Sequence, residues 1–206
     1  MCCRFFLRAY DPELAPIVER AAASPLLPRF QATRPVELAR SGEVFPGSLV
    51  PVVASDRRRN ATVFPMLWGF SVPGRKALIV NARIETAAQK PSFREAWQSH
   101  RCVVPASWYY EWQRAPEGSA RTKYAIRPKT ESITYLCGLY RIENGLPVFV
   151  ILTKEPCAEL AAIHDRMPLI LPRQAVRAWV DPASPPETLL ACALSDMSAE
   201  KRPDAS

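Results

Sequence analysis

Residues 101–112 have the sequence RCVVPASWYYEW, in which β-branched and aromatic residues form two short runs. Such residues favour pleated, half-buried strands. Strands are therefore predicted at Cys102–Val104 and Trp108–Trp112. The same criteria predict further strands at 2–9, Leu49–Ala54, Thr62–Phe70, Ala77–Val80, Lys123–Arg127, Ile133–Tyr140 and Pro147–Thr153.

Helical patterns are few and scattered. Phe93, Ala96 and Trp97 have the i, i+3, i+4 spacing of a core-facing stripe, which predicts a helix over Ser92–His100. Further helices are predicted at Pro16–Ala23, Pro156–Ile163 and Gln174–Val180, and a proline-rich irregular loop at 24–50.

Many strands with few helices indicate the α+β class. We expect a single domain with a curved, partly barrel-like, mainly antiparallel sheet and a few flanking helices. The predicted domain covers residues 1–194. Residues 195–206 are polar and are predicted to form a disordered C-terminal tail.

Composition limits the class of protein. The 206 residues suffice for one substantial domain, and 48% hydrophobic with 23% charged residues is ordinary for a soluble protein. No apolar run approaches the ~20 residues needed to span a bilayer, and no signal peptide is recognised. The expected location is the cytoplasm, with no membrane partner. A monomer is expected.

The cysteines and histidines argue against a metal site. The two histidines, His100 and His164, and the six cysteines show no clustered ligand spacing. No metal and no cofactor are therefore expected. In a reducing compartment, the cysteines other than Cys2 are predicted to be small buried apolar residues without disulfides.

The basic balance is compatible with a polyanionic partner. The net charge is +7 and arginine clearly outnumbers lysine. The planar guanidinium group matches phosphate and stacks on bases, which favours nucleic acid. The three adjacent arginines Arg57, Arg58 and Arg59 lie in a predicted hairpin turn over Ser55–Asn60, where a solvated tip is the simplest interpretation.

Cys2 follows the initiator methionine, so loss of Met1 would leave a 1,2-aminothiol at the N-terminus. An α-amino group titrates near pH ~8 and a lysine near ~10.4, so the terminal amine is more often uncharged at neutral pH. A free amine condenses with an aldehyde to a Schiff base, and the adjacent thiolate can then close a thiazolidine ring.

Several short motifs occur in one order along the chain: CCRF at 2–5, WGF at 68–70, NARIET at 81–86, SFREAW at 92–97, RCVVPAS at 101–107, WYYEW at 108–112, LT at 152–153 and IHDRMP at 163–168. Over roughly residues 2–172, this pattern resembles the SOS response-associated peptidase (SRAP) family of abasic-site-processing proteins. Each motif alone is weak, whereas the joint pattern is specific.

The resemblance implies an activity and a partner. Such proteins bind abasic sites in single-stranded DNA and form a covalent thiazolidine crosslink through the N-terminal cysteine, here Cys2. Met1 must first be removed, by self-processing or by an aminopeptidase. The implied enzyme class is thus a self-processing peptidase or hydrolase with DNA-crosslinking chemistry, including a Schiff base of the abasic-lyase type. The resemblance also implies that the protein is associated with the nucleoid when it is bound to DNA.

The resemblance also assigns catalytic roles to Asn81, Glu111 and His164 beside Cys2. A carboxyl group among aromatic residues has a raised pKa, which suits Glu111 to proton transfer, although spacing alone favours a surface glutamate. Imidazole exchanges protons near physiological pH, which suits His164. Asn81, expected at the end of a buried strand, would orient the Cys2 amine and hold a sugar hydroxyl.

Four residues are candidate DNA contacts. Arg4, Arg83 and Arg166 are candidates for binding the flanking phosphates. Trp68 is a candidate stacking or wedging surface, and a core tryptophan is the structural alternative.

One departure from the family pattern and two alternative functions remain. Cys3 stands where the family usually has glycine, which would tolerate a left-handed backbone or a close DNA approach. Cys2 with His164 could instead form the thiolate–imidazole pair of a peptidase or amidase. The chain could also be a non-catalytic module that shields lesions in single-stranded DNA.

Overall fold

A computed structural model describes residues 2–8, 10–113 and 121–203. Strands dominate this part of the chain, and they are β1 (Phe5–Leu7), β2 (Gly42–Val44), β3 (Leu49–Ser55), β4 (Ala61–Trp68), β5 (Phe70–Val72), β6 (Arg75–Ile79), β7 (Asn81–Arg83), β8 (Arg101–Ala106), β9 (Trp108–Trp112), β10 (Lys123–Pro128), β11 (Thr134–Glu143), β12 (Leu146–Lys154), β13 (Met167–Pro168), β14 (Ile170–Leu171) and β15 (Met197–Arg202).

The helices are short, and they are α1 (Ala15–Ala22), α2 (Leu26–Thr33), α3 (Ile84–Ala87), α4 (Arg94–Ser99), α5 (Val176–Val180) and α6 (Pro186–Leu190). Pro16 lies in the first turn of α1, where its missing N–H costs no intrahelical hydrogen bond. The predicted stripe of α4 is confirmed, since Phe93, Ala96 and Trp97 are all buried.

The strands form two main sheets around one core. A five-stranded sheet has the order β15-β10-β9-β1-β2, and all its pairings are antiparallel. An eight-stranded sheet has the order β13-β12-β4-β3-β8-β11-β14, with β7 pairing to β12. Only β12 makes parallel pairs there among the described strands, with β4 and with β7. Strands β5 and β6 form a separate ribbon. The α+β prediction with curved, partly barrel-like and mainly antiparallel sheets is confirmed.

The WGF motif has a steric explanation. Trp68 ends β4 and Phe70 begins β5, so Gly69 makes the corner between them with φ of 123°. A Cβ atom at Gly69 would lie 2.8 Å from the Cδ1 atom of Leu78. Both the positive φ and this close approach require glycine at the corner.

The predicted loop at 24–50 is wrong in part, because it contains α2 and β2. Pro28 lies in the first turn of α2, where proline is tolerated, and Phe30 packs into the core with 1% of its surface exposed. Prolines near a helix start therefore do not exclude a helix. The predicted helix at Pro156–Ile163 is reduced to one 3₁₀ turn over Ala158–Leu160. The predicted helix at Gln174–Val180 is a 3₁₀ turn over Arg173–Ala175 followed by α5.

The predicted disorder after Leu194 is wrong for Met197–Arg202. This segment forms β15 and pairs antiparallel with β10 over six residues. Met197, which lies opposite Pro128, is buried. The strand completes the edge of the five-stranded sheet, a long-range pairing that polar composition does not reveal. The last predicted tail residues, 204–206, lie outside the described residues.

No helix in residues 2–8, 10–113 and 121–203 has the length and apolar character required to cross a bilayer.

Candidate functional site

Strand β9 positions two polar groups inside the molecule. Tyr109 and Glu111 alternate with Trp108, Tyr110 and Trp112, so the first pair shares the inner face of the sheet. Glu111 retains only 4% of its surface exposed. Burial raises the pKa of its carboxyl group to about 7, and the charge of Asp165 acts in the same direction. The predicted pKa shift of Glu111 is thus present.

Cys2 lies against the same interior, with 1% of its surface exposed. Its Sγ donates to the carbonyl oxygen of Arg4 at 3.8 Å. Burial is the main cause that raises the pKa of this thiol well above its ordinary value, and the Glu111 carboxylate adds to it. The thiol is therefore neutral at physiological pH, and it needs a base at the moment of reaction.

Asn81 fixes the backbone of Cys2. Its Nδ2 donates to the Cys2 carbonyl oxygen at 3.0 Å. Asn81 begins β7 rather than ending a buried strand, because the preceding β6 is largely exposed and belongs to a separate ribbon. Its position comes from the parallel pairing of β7 with Ile151 of β12. The Asn81 Oδ1 atom is buried and has no hydrogen-bond partner among the described residues.

His164 approaches Glu111 from the segment after the 3₁₀ turn. Its Nε2 lies 3.9 Å from the Oε2 atom of Glu111. On the other side of the ring, the backbone N–H of Arg166 donates to Nδ1 at 3.1 Å, and the Oδ1 atom of Asp165 lies 2.8 Å from the same nitrogen. The first contact fits a neutral ring with its proton on Nε2, and the second fits an imidazolium. Both protonation states thus find a partner at Nδ1.

Arg166 holds the His164 segment in place. Its guanidinium forms a bidentate pair with Glu85, at 2.8 Å for both hydrogen bonds, and donates to the carbonyl oxygen of Thr153 at 2.7 Å. The same hydrogen bonds lower the pKa of Glu85. The side chain of Arg166 is only 11% exposed. This arrangement differs from the expected phosphate contact, because the guanidinium already binds a carboxylate.

Arg4 and Arg83 lie at the surface near the site. The Arg4 guanidinium lies 4.7 Å from the ring centre of Phe45 and 4.8 Å from that of Trp112, and it pairs with Glu43 at 3.4 Å. Arg83 ends β7, two residues after Asn81, and is exposed. Their contacts with DNA stay a prediction.

The prediction that Trp68 stacks on a base is wrong for this structure, because the ring is fully buried. Its Nε1 donates to the carbonyl oxygen of Val80 at 3.1 Å, and its ring packs against Phe5 and Phe149. The structural alternative, a core tryptophan, applies. Trp68 lies on β4 inside the eight-stranded sheet, where both faces of the strand are covered near its end.

The sequence interpretation missed Tyr109. Its hydroxyl is buried with no hydrogen-bond partner among residues 2–8, 10–113 and 121–203. Burial raises its pKa well above the ordinary value, and the charges of Cys2 and Glu111 add to the shift. A neutral phenol beside both groups can donate a hydrogen bond to a reacting oxygen. The alternation of WYYEW was the available signal, since Tyr109 shares a face with Glu111.

Cys2, Asn81, Glu111 and His164 thus meet in one site, in which Cys2 and Glu111 are buried and Asn81 and His164 are half-buried, although they come from four distant segments. No cluster of three or more histidine, cysteine, aspartate or glutamate side chains suited to a metal ion occurs within the described ranges. The site therefore consists of a thiol, a carboxyl group with a pKa near neutrality, an imidazole and an amide. Such groups suit proton transfer and nucleophilic attack on a carbonyl compound.

Comparison with known families identifies the class. The family described as SOS response associated peptidase (SRAP) matches residues 1–202, and the chain belongs to this family.

Curated relatives come from bacteria and from animals. The chain is 31% identical over 192 residues to the abasic site processing protein YoqW of Bacillus subtilis (strain 168), which covers 88% of this chain and 81% of that protein. It is 32% identical over 143 residues to the abasic site processing protein YedK of Escherichia coli (strain K12), with coverage of 66% and 63%. It is 30% identical over 158 residues to the abasic site processing protein HMCES of Rattus norvegicus, with coverage of 58% and 45%.

Solved structures share the fold. A crystal structure of a protein from Bacteroides thetaiotaomicron superposes with a TM-score of 0.75 at 23% identity, over 98% of this chain and 93% of that one. A phage-related protein from Bordetella bronchiseptica gives a TM-score of 0.72 at 23% identity, over 98% of this chain and 94% of that one. At this identity, the likeness establishes the architecture alone.

Proposed function

We propose that this protein processes abasic sites in single-stranded DNA by forming a thiazolidine crosslink through Cys2. The observation that carries the proposal is the buried Cys2 beside Glu111, whose carboxyl pKa is about 7. The Nε2 atom of His164 lies 3.9 Å from the Oε2 atom of the same carboxyl group. The names of the relatives, abasic site processing proteins, support the choice of substrate.

The first step is hydrolysis of the amide bond between Met1 and Cys2. Water adds across this bond, the methionine carboxylate leaves, and Cys2 gains a free amine. Either an aminopeptidase or the site itself would perform the step. In self-processing, the Glu111 carboxylate would accept the proton of the attacking water, as general bases do in hydrolysis.

The second step joins the amine to the lesion. The ring-opened abasic sugar carries an aldehyde, and the Cys2 nitrogen adds to its carbon. The amine proton moves to the oxygen, which gives a carbinolamine. A protonated Glu111 then donates a proton to that hydroxyl, and water leaves to give an iminium ion. A carboxyl group with a pKa near neutrality can both donate and accept protons in this sequence.

The third step closes the ring. The Cys2 sulfur adds to the iminium carbon, and its proton returns to the Glu111 carboxylate that the second step left behind. Overall, one C–N and one C–S bond form at the former aldehyde carbon, and one water molecule is lost. His164 would relay protons between Glu111 and solvent, since its ring has a partner in both protonation states. Asn81 would keep the Cys2 backbone fixed.

A gel assay with matched variants tests the proposal. A single-stranded oligonucleotide containing uracil is treated with uracil glycosylase and incubated with the native protein, Cys2→Ala or Cys3→Ala. A heat-stable shifted band is expected with the native protein and with Cys3→Ala, and none with Cys2→Ala. Cys3 is the matched control because it is the neighbouring thiol and is exposed.

Two other outcomes would replace the proposal. Absence of a band together with Cys2-dependent turnover of peptides would indicate a peptidase. Equal, reversible binding of abasic DNA by the native protein and Cys2→Ala, with no covalent product, would indicate a non-catalytic shielding module.

A further inference from the structure

The five-stranded sheet has a second face that the proposed chemistry does not use. Because side chains alternate along a strand, Tyr109 and Glu111 point inward while their neighbours on β9 point outward. The cross-strand register extends this outer face over all five strands. We name as the outer face the side chains Arg4, Phe6, Arg8, Glu43, Trp108, Tyr110, Trp112, Lys123, Ala125, Arg127, Ser198, Glu200 and Arg202.

Aromatic rings line the middle of the outer face. Phe6 stacks on Trp108 with ring centres 4.5 Å apart and an angle of 4° between the planes. Trp108 meets Tyr110 edge-on at 6.3 Å, and Tyr110 lies 6.5 Å from Trp112. Phe6, Trp108 and Trp112 keep part of their surface exposed. A partly exposed sheet face with four aromatic rings in contact is unusual unless another surface covers it.

Cations lie over these rings. Arg8 and Arg202 have their guanidinium carbons 5.4 Å and 5.6 Å from the Trp108 ring centre. The Lys123 ammonium lies 4.1 Å from the ring centre of Tyr110. Contact with an aromatic ring orients a guanidinium group while it leaves the N–H groups at its edge able to bind an anion.

Carboxylates balance only part of the positive charge of the outer face. Glu43, on β2, pairs with both Arg4 and Lys123. At the other end, Glu200 pairs with Arg202 at 2.9 Å. Arg8 and Arg127 are exposed and have no acidic partner in the part of the chain that the structure describes.

These arginines converge on one small pocket. The pocket has a volume of about 120 Å³ and is lined by Arg8, Trp108, Ala125, Arg127, Glu200 and Arg202. Three guanidinium groups face a single carboxylate there, and Trp108 forms a flat apolar wall. An anion with an adjoining flat apolar group is the ligand that such a lining complements, and a nucleotide of an unpaired strand has both parts.

We infer that the outer face is a second binding surface for single-stranded DNA, with the three-arginine pocket as a phosphate subsite. Arg4 and Trp112 connect this surface to the crosslinking site, because Arg4 is two residues from Cys2 and Trp112 follows Glu111. The inference rests on the proposed function only for the identity of the nucleic acid.

Fluorescence anisotropy with an undamaged, labelled single-stranded oligonucleotide tests the inference without any crosslinking. The outer-face variant carries Arg8→Gln, Arg127→Gln and Arg202→Gln. The matched control carries Arg29→Gln, Arg57→Gln and Arg58→Gln, which removes the same charge from a different cleft. The Kd of the outer-face variant should rise about 10-fold at low salt. The slope of log K against log salt should fall by about 0.7, since each neutralised phosphate contributes ~0.7 for single strands. The control should bind within about 3-fold of the native protein.

Equal weakening by both triple variants would overturn the inference, because net charge alone would then explain binding. Native-like binding by the outer-face variant would overturn it too. Binding of inorganic phosphate by the native protein with no loss of oligonucleotide affinity at constant ionic strength would assign the pocket to free phosphate instead. Because Arg202 lies on a terminal strand, Arg127→Glu alone serves as a second variant and should weaken binding about 5-fold. A native protein that binds undamaged DNA but never crosslinks would refute only the proposed function.

Discussion

Burial governs the reactivity of the groups around Cys2. Glu111, Tyr109 and Cys2 lie close enough to influence one another's ionisation, and desolvation is the largest cause of the raised pKa of each. Each group is therefore held in its protonated form up to a higher pH than in water. Only the Glu111 carboxyl has a pKa near neutrality, at about 7. Glu111 is thus the member that can donate and accept protons under physiological conditions.

The raised pKa of Glu111 predicts a specific pH dependence of stability. The carboxyl ionises near its ordinary pKa of 4.5 when unfolded and near 7 when folded. Between these values the folded state binds the extra proton, so the native protein loses stability as pH rises from about 4.5 to above 7. At 1.36 kcal/mol per pKa unit, the loss is about 3 kcal/mol relative to Glu111→Gln.

Urea unfolding of the native protein and Glu111→Gln at pH 5 and pH 8 measures this difference. From pH 5 to pH 8, the free energy of unfolding of the variant should rise by about 3 kcal/mol relative to that of the native protein. The crosslinking rate of the variant should be about 100-fold lower. A stability difference that is independent of pH would contradict the assignment of the raised pKa to Glu111.

Cys3 is predicted to be a tolerated departure from the family pattern. Among the described non-glycine residues, only Arg59 and Asn144 have a positive φ, so the backbone at Cys3 does not require glycine. Cys3→Gly should therefore crosslink abasic DNA within about 2-fold of the native rate, and it should lose at most about 1 kcal/mol of stability. Single-turnover crosslinking rates check this; a 10-fold gain on substitution would mean that Cys3 obstructs the DNA.

Sequence motifs predicted which residues lie together better than they predicted which side chains are buried. Cys2, Asn81, Glu111 and His164 were predicted by motifs and do meet in one site. Trp68 and Arg166 were assigned to DNA, yet one packs in the core and the other binds Glu85. Tyr109 was missed. A motif records which residue types recur together, whereas the partner of a side chain is set by segments distant in sequence.

Arg101 explains why the RCVVPAS motif begins with arginine. The residue starts β8, is 1% exposed, and donates to the backbone carbonyl oxygens of Trp97, Gln98, Trp179, Asp181 and Ser184. It thereby joins the end of α4 and the segment after α5 to the edge of β8. Burial lowers the pKa of the guanidinium, which these carbonyl groups solvate in place of water.

Arg101→Met should lower the free energy of unfolding by about 3–5 kcal/mol, because five carbonyl oxygens lose their donor, two of them in buried hydrogen bonds and three in part-buried ones. Arg94→Met on the exposed side of α4 is the matched control and should cost less than about 0.5 kcal/mol. Chemical denaturation measures both. Equal costs for the two variants would show that Arg101 is not a structural centre.

Strand β15 is predicted to stabilise the five-stranded sheet. Truncation after Asp196 removes the pairing with β10 and the buried Met197, so unfolding free energy should fall by about 2–5 kcal/mol. Truncation after Pro203 keeps the strand and should leave stability within about 0.5 kcal/mol. Thermal and urea unfolding compare the two truncations. A fully stable truncation at Asp196 would contradict a structural role for β15.

Elements with strong local signals were predicted well, and those defined by distant pairing were not. Strand β9 has the predicted bounds, and α1 and α4 lie within about one or two residues of theirs. The short elements β7, β13, β14, α3 and α6 were missed, and so were β2, β15 and α2. In the last three, proline and polar residues give the composition of loops, and only long-range partners give these segments regular structure.

At the scale of the whole molecule, one sheet serves two surfaces. Its inner face holds Glu111 against Cys2, and its outer face carries the aromatic rings and cations. The strand register places Lys123, Arg127 and Arg202 on this outer face, beside Arg4 and Arg8. Composition favoured a polyanionic partner only as a hypothesis, and the register of β1, β9, β10 and β15 locates the basic side chains of the outer face.

Intact-mass spectrometry of the protein before and after incubation with an abasic oligonucleotide, without a reductant, tests whether Cys2 captures the abasic aldehyde. The proposal predicts a protein that lacks Met1. It also predicts a heat-stable product whose mass is the sum of protein and oligonucleotide minus one water. Two results would contradict capture by Cys2. One is formation of the same adduct by a protein that retains Met1 or carries an acetyl group on its N-terminus. The other is a processed protein that forms no adduct.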